Sequence, residues 1–184
     1  MEKIVIISST NRPDSNTLKV CKVYREILKT RGIESSILDM CVLPENIAFA
    51  ELHGRRSAEY DQLILENITS ASAFIFVVPE YNGSFPGLLK VFIDSIHPRE
   101  WTDKFVCLVG VSNGRAGNLR GMEHLTGILN YLKLHIYHNK LPISSIDKQW
   151  DPTGRFNSAE QTNACVEQIE GFLGFISKNT KFTT

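Results

Sequence analysis

Residues 73–97, AFIFVVPEYNGSFPGLLKVFIDSIH, limit the folds open to this chain more than any other stretch. An apolar run enters a polar loop, and the loop enters a helix. From Ala73 to Val78 every residue is apolar, and Phe74, Ile75, Phe76, Val77 and Val78 are aromatic or β-branched. Such a run reads as a strand covered on both faces, as in a parallel sheet. Pro79 ends it, because proline donates no ladder hydrogen bond. A helix is expected from about Pro86, whose missing amide the first turn would leave unpaired anyway. Leu89, Phe92, Ile93 and Ile96 follow at helical spacing. Pro79, Glu80, Tyr81, Asn82, Gly83 and Ser84 thus form a loop at the carboxyl end of a strand. It combines a planar aromatic, an amide and a glycine that permits close backbone approach, a set suited to a flat polar ligand.

A chain of 184 residues suits one domain over 1–184, and a domain of this size buries roughly 70% of its unfolded surface without staples. Lysine plus arginine equals aspartate plus glutamate at 20 each, so the composition carries no electrostatic footprint for nucleic acid. Cys21, Cys41, Cys107 and Cys165 are widely spaced, with no Cys-x-x-Cys pair, and read as core thiols. His53, His97, His124, His135 and His138 show no ligand spacing, and no metal is assigned. The opening MEKIVIISS is too short in apolar residues for a secretory core, and no run is long enough to span a bilayer. A cytoplasmic protein without membrane contact is expected.

Residues 4–8 read as a first buried strand and Asn16 onward as a helix with Leu18, Cys21, Tyr24, Ile27 and Leu28 on one face, ended by Gly32. The loop between them carries Ser9, Thr10, Arg12, Ser15, Asn16 and Thr17. Free amides and the positive end of the helix dipole favour an anion there, and Arg12 adds a charge-assisted partner. The loop lacks the glycines of a dinucleotide fingerprint and the Gly-Lys-Ser/Thr ending of a P-loop, so a single phosphate monoester fits better.

Residues 33–39 form a weaker second strand, and 45–56 a connection with Arg55 and Arg56 exposed. Ser57 is the expected cap of a helix carrying Tyr60, Leu63, Ile64 and Ile68, whose Glu59, Asp61 and Glu66 read as a solvated face. Lys104–Ser112 is another buried strand. It feeds Ser112, Asn113, Gly114 and Arg115, a third polar loop before a helix with Met122, Leu125, Leu129 and Leu132. Residues 134–146 read as the last strand region, broken by Pro142, and 150–157 as a surface loop. A closing helix starts at a Ser158/Gln161 capping box, with Thr162, Val166, Ile169, Leu173 and Ile176 on one face and Gly171 and Gly174 allowing close packing. Five strands alternating with helices predict a doubly wound α/β sheet in the flavodoxin-like order 2-1-3-4-5, with helices on both faces. Ligands of such sheets sit beyond strands 1 and 3, where the anion loop and the aromatic loop lie.

The segment PEYNGSFPGLLKVFIDSI resembles the flavin-contacting motif of the NADPH-dependent FMN reductases, which include quinone, azo-dye and chromate reductases. Thr10-x-Arg12-x-x-Ser15-x-Thr17 resembles that family's phosphate loop, with Thr17 where asparagine is commoner and Asp14 where small residues are usual. Gly117-Asn118-Leu119-Arg120 resembles its Gly-Gly-x-Arg segment, with Asn118 in place of the second glycine. The resemblance implies an FMN cofactor, NADPH or NADH as hydride donor, a small-molecule electron acceptor, and a homodimer or homotetramer. It implies that Thr10, Arg12, Ser15, Asn16 and Thr17, with Ser9 beside them, hold the phosphate and that Pro79 to Ser84 position the ring. Backbone N–H groups of the loop from Ser112 to Gly117, helped by Arg115, are expected to stabilise charge near flavin N1 and O2. No protein nucleophile is assigned, since the chemistry would lie on flavin N5. Two other classes stay open: a flavodoxin-type electron carrier without NAD(P)H turnover, which the neutral composition disfavours, and a flavin-free domain, favoured by Asp14.

Overall fold

Three buried runs, Ile4–Ser8 (β1), Ala73–Pro79 (β3, half-buried only at Pro79) and Phe105–Val111 (β4), pair in parallel at the centre of one sheet. The computed structural model describes residues 3–51 and 56–180; the expectations placed on His53 and Arg55 lie outside them. Ser35–Asp39 (β2) pairs with β1, and the strand order is β2-β1-β3-β4-β5, as the alternation of elements predicts. The register sets Ile6 between Ile37 and Ile75, and Ile75 beside Cys107. Because side chains alternate along each strand, each face of the sheet builds its own core. Ile4, Ile6, Ile75 and Cys107 pack with Val20, Tyr24 and Leu28 of helix Asn16–Thr30 (α1) and with Cys165, Ile169 and Phe172 of helix Ala159–Thr180 (α5). Ile7, Phe74, Phe76 and Leu108 pack on the other face with residues of helices Ala58–Ile64 (α2), Gly87–Asp94 (α3) and Leu119–Tyr131 (α4).

The last strand differs from the expectation of five strands. Residues 134–146 divide into His135–Ile136 (β5) and Leu141–Ile143 (β6), both parallel to β4, so the sheet has six strands among the described residues. Pro142 sits inside β6 rather than breaking it. Parallel strands bond to a given neighbour through alternate residues, and Ile143 faces β4, accepting from Ser112 N at 3.0 Å. The nitrogen of Pro142 therefore points to the open edge, where proline is tolerated. Between the two short strands, the Leu108 carbonyl accepts from Gln168 Nε2 at 3.0 Å, and the same amide reaches the Asn139 carbonyl at 2.7 Å. A buried glutamine of α5 thus completes hydrogen bonding where the edge strand is interrupted, and Tyr24 Oη in turn donates to its Oε1 at 2.5 Å.

Smaller corrections follow from packing. Pro86 is the cap of α3 and not its first residue. In α1, Val20 is buried while Leu18 is only half-buried. The buried face of α5 is Cys165, Gln168, Ile169, Phe172 and Ile176, so Thr162, Val166 and Leu173 flank it; a Cβ on Gly171 would meet the Tyr137 hydroxyl, whereas one on Gly174 would meet nothing within 4 Å. Only half of the capping box forms, Gln161 N donating to Ser158 Oγ at 3.3 Å. Cys41 is exposed, not a core thiol, and Arg56 is partly buried, donating to the Ser95 carbonyl and pairing with Asp61. The expected surface loop 150–157 is anchored, with Trp150 stacked on a buried Phe156 at 4.7 Å between ring centroids. No helix among the described residues is long and apolar enough to cross a membrane.

Candidate functional site

The carboxyl ends of β1, β3 and β4 carry the three polar loops singled out in the sequence. In the first, the amides of Ser9 and Thr10 donate to Val77 and Ser8 carbonyls at 3.1 and 2.9 Å, which stitches the loop to β3 as it leaves β1. Ser15 caps α1, its Oγ accepting from Leu18 N at 3.1 Å. Neither the Asn16 nor the Thr17 amide has an acceptor among the described residues. Arg12 is exposed and its guanidinium makes no ion pair or hydrogen bond among them. Free amides at a helix N-terminus beside an uncommitted cation are the donor set a phosphate requires. Asp14 is exposed, at φ 51°. Ser9, Thr10 and Thr17 are buried.

The second loop is a tight reversal. Tyr81 N donates to Ser84 O at 2.9 Å and Ser84 N to Tyr81 O at 3.0 Å. Asn82 and Gly83 between them stand at φ 50° and 79°. Two successive positive-φ residues give the mirror-image turn for which Asn-Gly is the preferred pair, so backbone conformation, more than close approach, explains Gly83. The turn leaves Glu80, Tyr81 and Asn82 exposed above Pro79, and half-buries Ser84. Tyr81 is 40% exposed, and its hydroxyl lies 2.7 Å from Thr10 Oγ1. That bond brings the anion loop and the aromatic loop together. Ser84 Oγ is 2.9 Å from His124 Nδ1 of α4.

In the third loop Ser112 Oγ donates to the Gly114 carbonyl at 3.0 Å, while Asn113, Gly114 and Arg115 are exposed and the Arg115 side chain is unpaired among the described residues. Asn118, noticed in the sequence only as a missing glycine, is buried at φ 66°. Its Oδ1 caps α4 through Gly121 N at 3.2 Å, and its Nδ2 donates to the Val78 carbonyl at 2.9 Å. Asparagine is one of the few residues that tolerates the left-handed region and caps a helix as well. Asn118 thereby fixes the start of α4 against the end of β3.

Cys41 lies just beyond β2, where desolvation and then the Asp39 carboxylate push its thiol above its ordinary value. It is therefore not an activated nucleophile. Among the described residues, no three His, Cys, Asp or Glu side chains gather as a metal site would require.

The model of the family described as NADPH-dependent FMN reductase matches residues 2–151. The chain belongs to that family. Among individual relatives it is 34% identical over 136 residues to a 2-hydroxy-1,4-benzoquinone reductase of a Burkholderia species, covering 72% of each chain. It is 33% identical over 109 residues to an NAD(P)H-dependent FMN reductase of Pseudomonas aeruginosa. That match spans 57% of this chain and 59% of the relative's length, under two thirds of it. The fold is similar to that of FerB, a flavoenzyme NAD(P)H:(acceptor) oxidoreductase from Paracoccus denitrificans, with a TM-score of 0.82, 20% identity, and coverage of 97% of this chain and 98% of the other.

Two groups at this edge escaped the sequence reading. His124 stood out there only as one of five histidines without ligand spacing. Asp147, with Trp150, approaches from the segment after β6; the one available signal was that an acidic residue following the last strand of such a sheet emerges at the ligand-bearing edge.

Proposed function

We propose that this chain, read as one flavin-binding domain over 1–184, is an FMN-dependent oxidoreductase. It takes hydride from NADPH or NADH and delivers electrons to a small acceptor of the quinone or azo class. The observation that carries the reading is the 2.7 Å contact of Thr10 Oγ1 with the Tyr81 hydroxyl, which joins a phosphate-type donor set to an aromatic turn. When bound, FMN would supply the two-electron chemistry, receiving hydride at N5 and passing it on. The chain's own residues then bind and orient. The Asn16 and Thr17 amides, with Arg12, hold the phosphate, while Ser9, Thr10 and Ser15 shape the loop around it. Pro79 to Ser84 would form the platform beside the ring, with Tyr81 hydrogen-bonded to Thr10. Backbone N–H groups and Arg115 of the loop from Ser112 to Gly117 would stabilise the negative charge that grows on the flavin when it is reduced. Quinone and FMN reduction by the named relatives supports the acceptor class. Family resemblance alone supports a homodimer or homotetramer, and a cytoplasmic setting is proposed with it. Sedimentation showing only monomer at micromolar concentration would reject the assembly.

The deciding experiment incubates purified protein with FMN, removes unbound flavin by desalting, and adds NADPH or NADH without oxygen. Retained flavin that bleaches with either donor is the expected result. Retained flavin that neither donor reduces would make the chain an electron carrier. Absence of binding in a direct FMN titration would reject the flavin reading. Arg12→Ala is expected to weaken FMN about tenfold or more while leaving far-UV circular dichroism unchanged.

A further inference from the structure

The segment Ile146–Lys148 is a 3-10 turn following β6, and its placement beside the site is fixed by backbone bonds. Ser112 N donates to Ile143 O at 3.0 Å, and Ile146 N donates to Ser112 O at 3.2 Å. This delivers the Asp147 carboxylate between two asparagines from different loops. Asn16 Nδ2, at the start of α1, donates to Asp147 Oδ1 at 2.7 Å. Asn113 Nδ2, in the loop after β4, donates to Asp147 Oδ2 at 2.5 Å.

Both amides are held with their NH2 groups inward. Asn16 Oδ1 accepts from Trp150 Nε1 at 2.9 Å, and Asn113 Oδ1 accepts from the Asp147 backbone amide at 3.4 Å. Trp150 is itself fixed by its stack on Phe156, with Lys19 Nζ over its ring at 5.7 Å. The slot between the two asparagines therefore presents two donors, and only a group that accepts twice completes it. An ionised carboxylate does so; an amide brings one donor of its own and must oppose a donor on one side.

We infer that Asp147 is a positioning residue: its carboxylate locks Asn16 and Asn113 and so holds the anion loop and the loop after β4 at a fixed separation. This rests on the FMN reading above for its functional meaning, since those loops would grip opposite ends of the cofactor. A negative charge beside an anion loop opposes phosphate binding through space. Its presence here is explained by geometry and not by attraction, and the two roles predict opposite signs.

The complementarity can be reversed. Asp147→Asn puts a donor against a donor, and Asn113→Asp puts two carboxylates face to face. Together they restore the pattern, because an asparagine at 147 accepts from Asn16 and donates to an aspartate at 113, which also accepts the backbone amide of residue 147. Two readouts are taken on parent, both single variants and the pair. The first is hydrogen–deuterium exchange of residues 9–17 and 112–118 in the flavin-free protein, and the second is the FMN dissociation constant. The lock predicts faster exchange of both segments in each single variant and slow exchange in the pair. It also predicts FMN affinity about tenfold weaker in each single variant, with most of that loss recovered in the pair. Additive exchange effects would overturn the lock whether or not FMN binds. Tighter FMN binding by Asp147→Asn would leave only a charge effect, and coupled exchange with unchanged FMN affinity would leave only a structural staple. Failure of the parent to bind FMN would defeat the proposed function, while the exchange measurements would still decide the lock.

Discussion

The two ends of the same sheet are built differently. At the amino ends of the strands, turns closed by backbone are reinforced by lysine side chains, Lys3 Nζ donating to Ser70 Oγ at 2.9 Å and Lys104 Nζ to the Thr69 carbonyl at 3.0 Å. Gly32 at φ 69° turns α1 toward β2, Asp103 at φ 61° precedes β4, and Lys133 at φ 62° turns α4 toward β5. Their bonds are main-chain ones, such as Gly32 N to Lys29 O at 3.0 Å and Asp103 N to Lys133 O at 3.1 Å. A crevice of about 850 Å³ opens at this end, lined by Lys3, Arg25, Lys29 and Ser36 among others. Its cations stand beside the carbonyl end of α1, whose dipole repels an anion, so size alone does not make it a ligand site. At the carboxyl ends main-chain bonds also shape each loop, but the loops are tied to one another and to the neighbouring elements by side chains: Thr10 to Tyr81, Asn118 to Val78, Ser84 to His124, and Asp147 to two asparagines. Side-chain ties hold a loop in shape while leaving main-chain amides free, and free amides are what an anionic ligand needs. The contrast shows how one sheet keeps a rigid end and an addressable end.

The comparison is broken most directly at its glycines. A Cβ on Gly110 of β4 would lie 2.1 Å from the Gly117 carbonyl oxygen and 2.8 Å from Met122 Cε, whereas one on Gly32 meets nothing within 4 Å. Gly110→Ala is expected to cost about 3 kcal/mol, lowering the melting temperature by roughly 10 °C. Gly32→Ala pays only for its positive φ, about 1 kcal/mol. Equal losses in thermal unfolding would mean that both ends respond to backbone conformation alone.

Next in size is Asn118→Ala, which removes the cap of α4 and leaves the buried Val78 carbonyl without its side-chain donor. A loss of about 2 kcal/mol is expected in chemical denaturation. Reduced FMN affinity should accompany it, because the third loop would lose its fixed start.

Alkali sharpens the contrast between both ends and the core between them. Burial raises the Cys21, Cys107 and Tyr24 pKa values, and pushes Cys165 from 9.0 up to about 11. For groups raised in the folded state, the stability they contribute is full below their unfolded pKa and is lost as pH rises toward the folded one. The urea midpoint is therefore expected to show no loss from these groups below about pH 9 and to fall between about pH 9 and 11. A midpoint unchanged to pH 11 would contradict the burial of Cys165. The smallest effect is at Cys41, exposed beyond β2: it alone of the four thiols should react with a thiol reagent in the native protein, and Cys41→Ser should alter stability by under about 0.5 kcal/mol.

Much of the sheet was legible because burial on both faces writes a continuous apolar run. Residues 4–8, 73–78 and 104–112 announced β1, β3 and β4 nearly to the residue. Charged and polar loops after each strand were equally visible, since no core residue competes with them. The buried face of α5 was harder to read: Gln168 is polar by type, yet it is wholly buried, serving the interruption between β5 and β6. Cys41 misled for the opposite reason, a residue type usually buried standing on the surface.

The sequence by itself thus determined the strands, their alternation with helices, and which loops carry donors. Periodicity and local backbone preference are properties of neighbouring residues. The tertiary structure alone decided which donors face one another. Asn16 and Asp147 are 131 residues apart in the chain, Thr10 and Tyr81 are 71 apart, and Asn113 and Asp147 are 34 apart. A hydrogen bond requires atoms within about 3 Å and correct orientation. Neither condition is encoded in residue type or spacing until the sheet brings the ends of β1, β3, β4 and β6 to one edge.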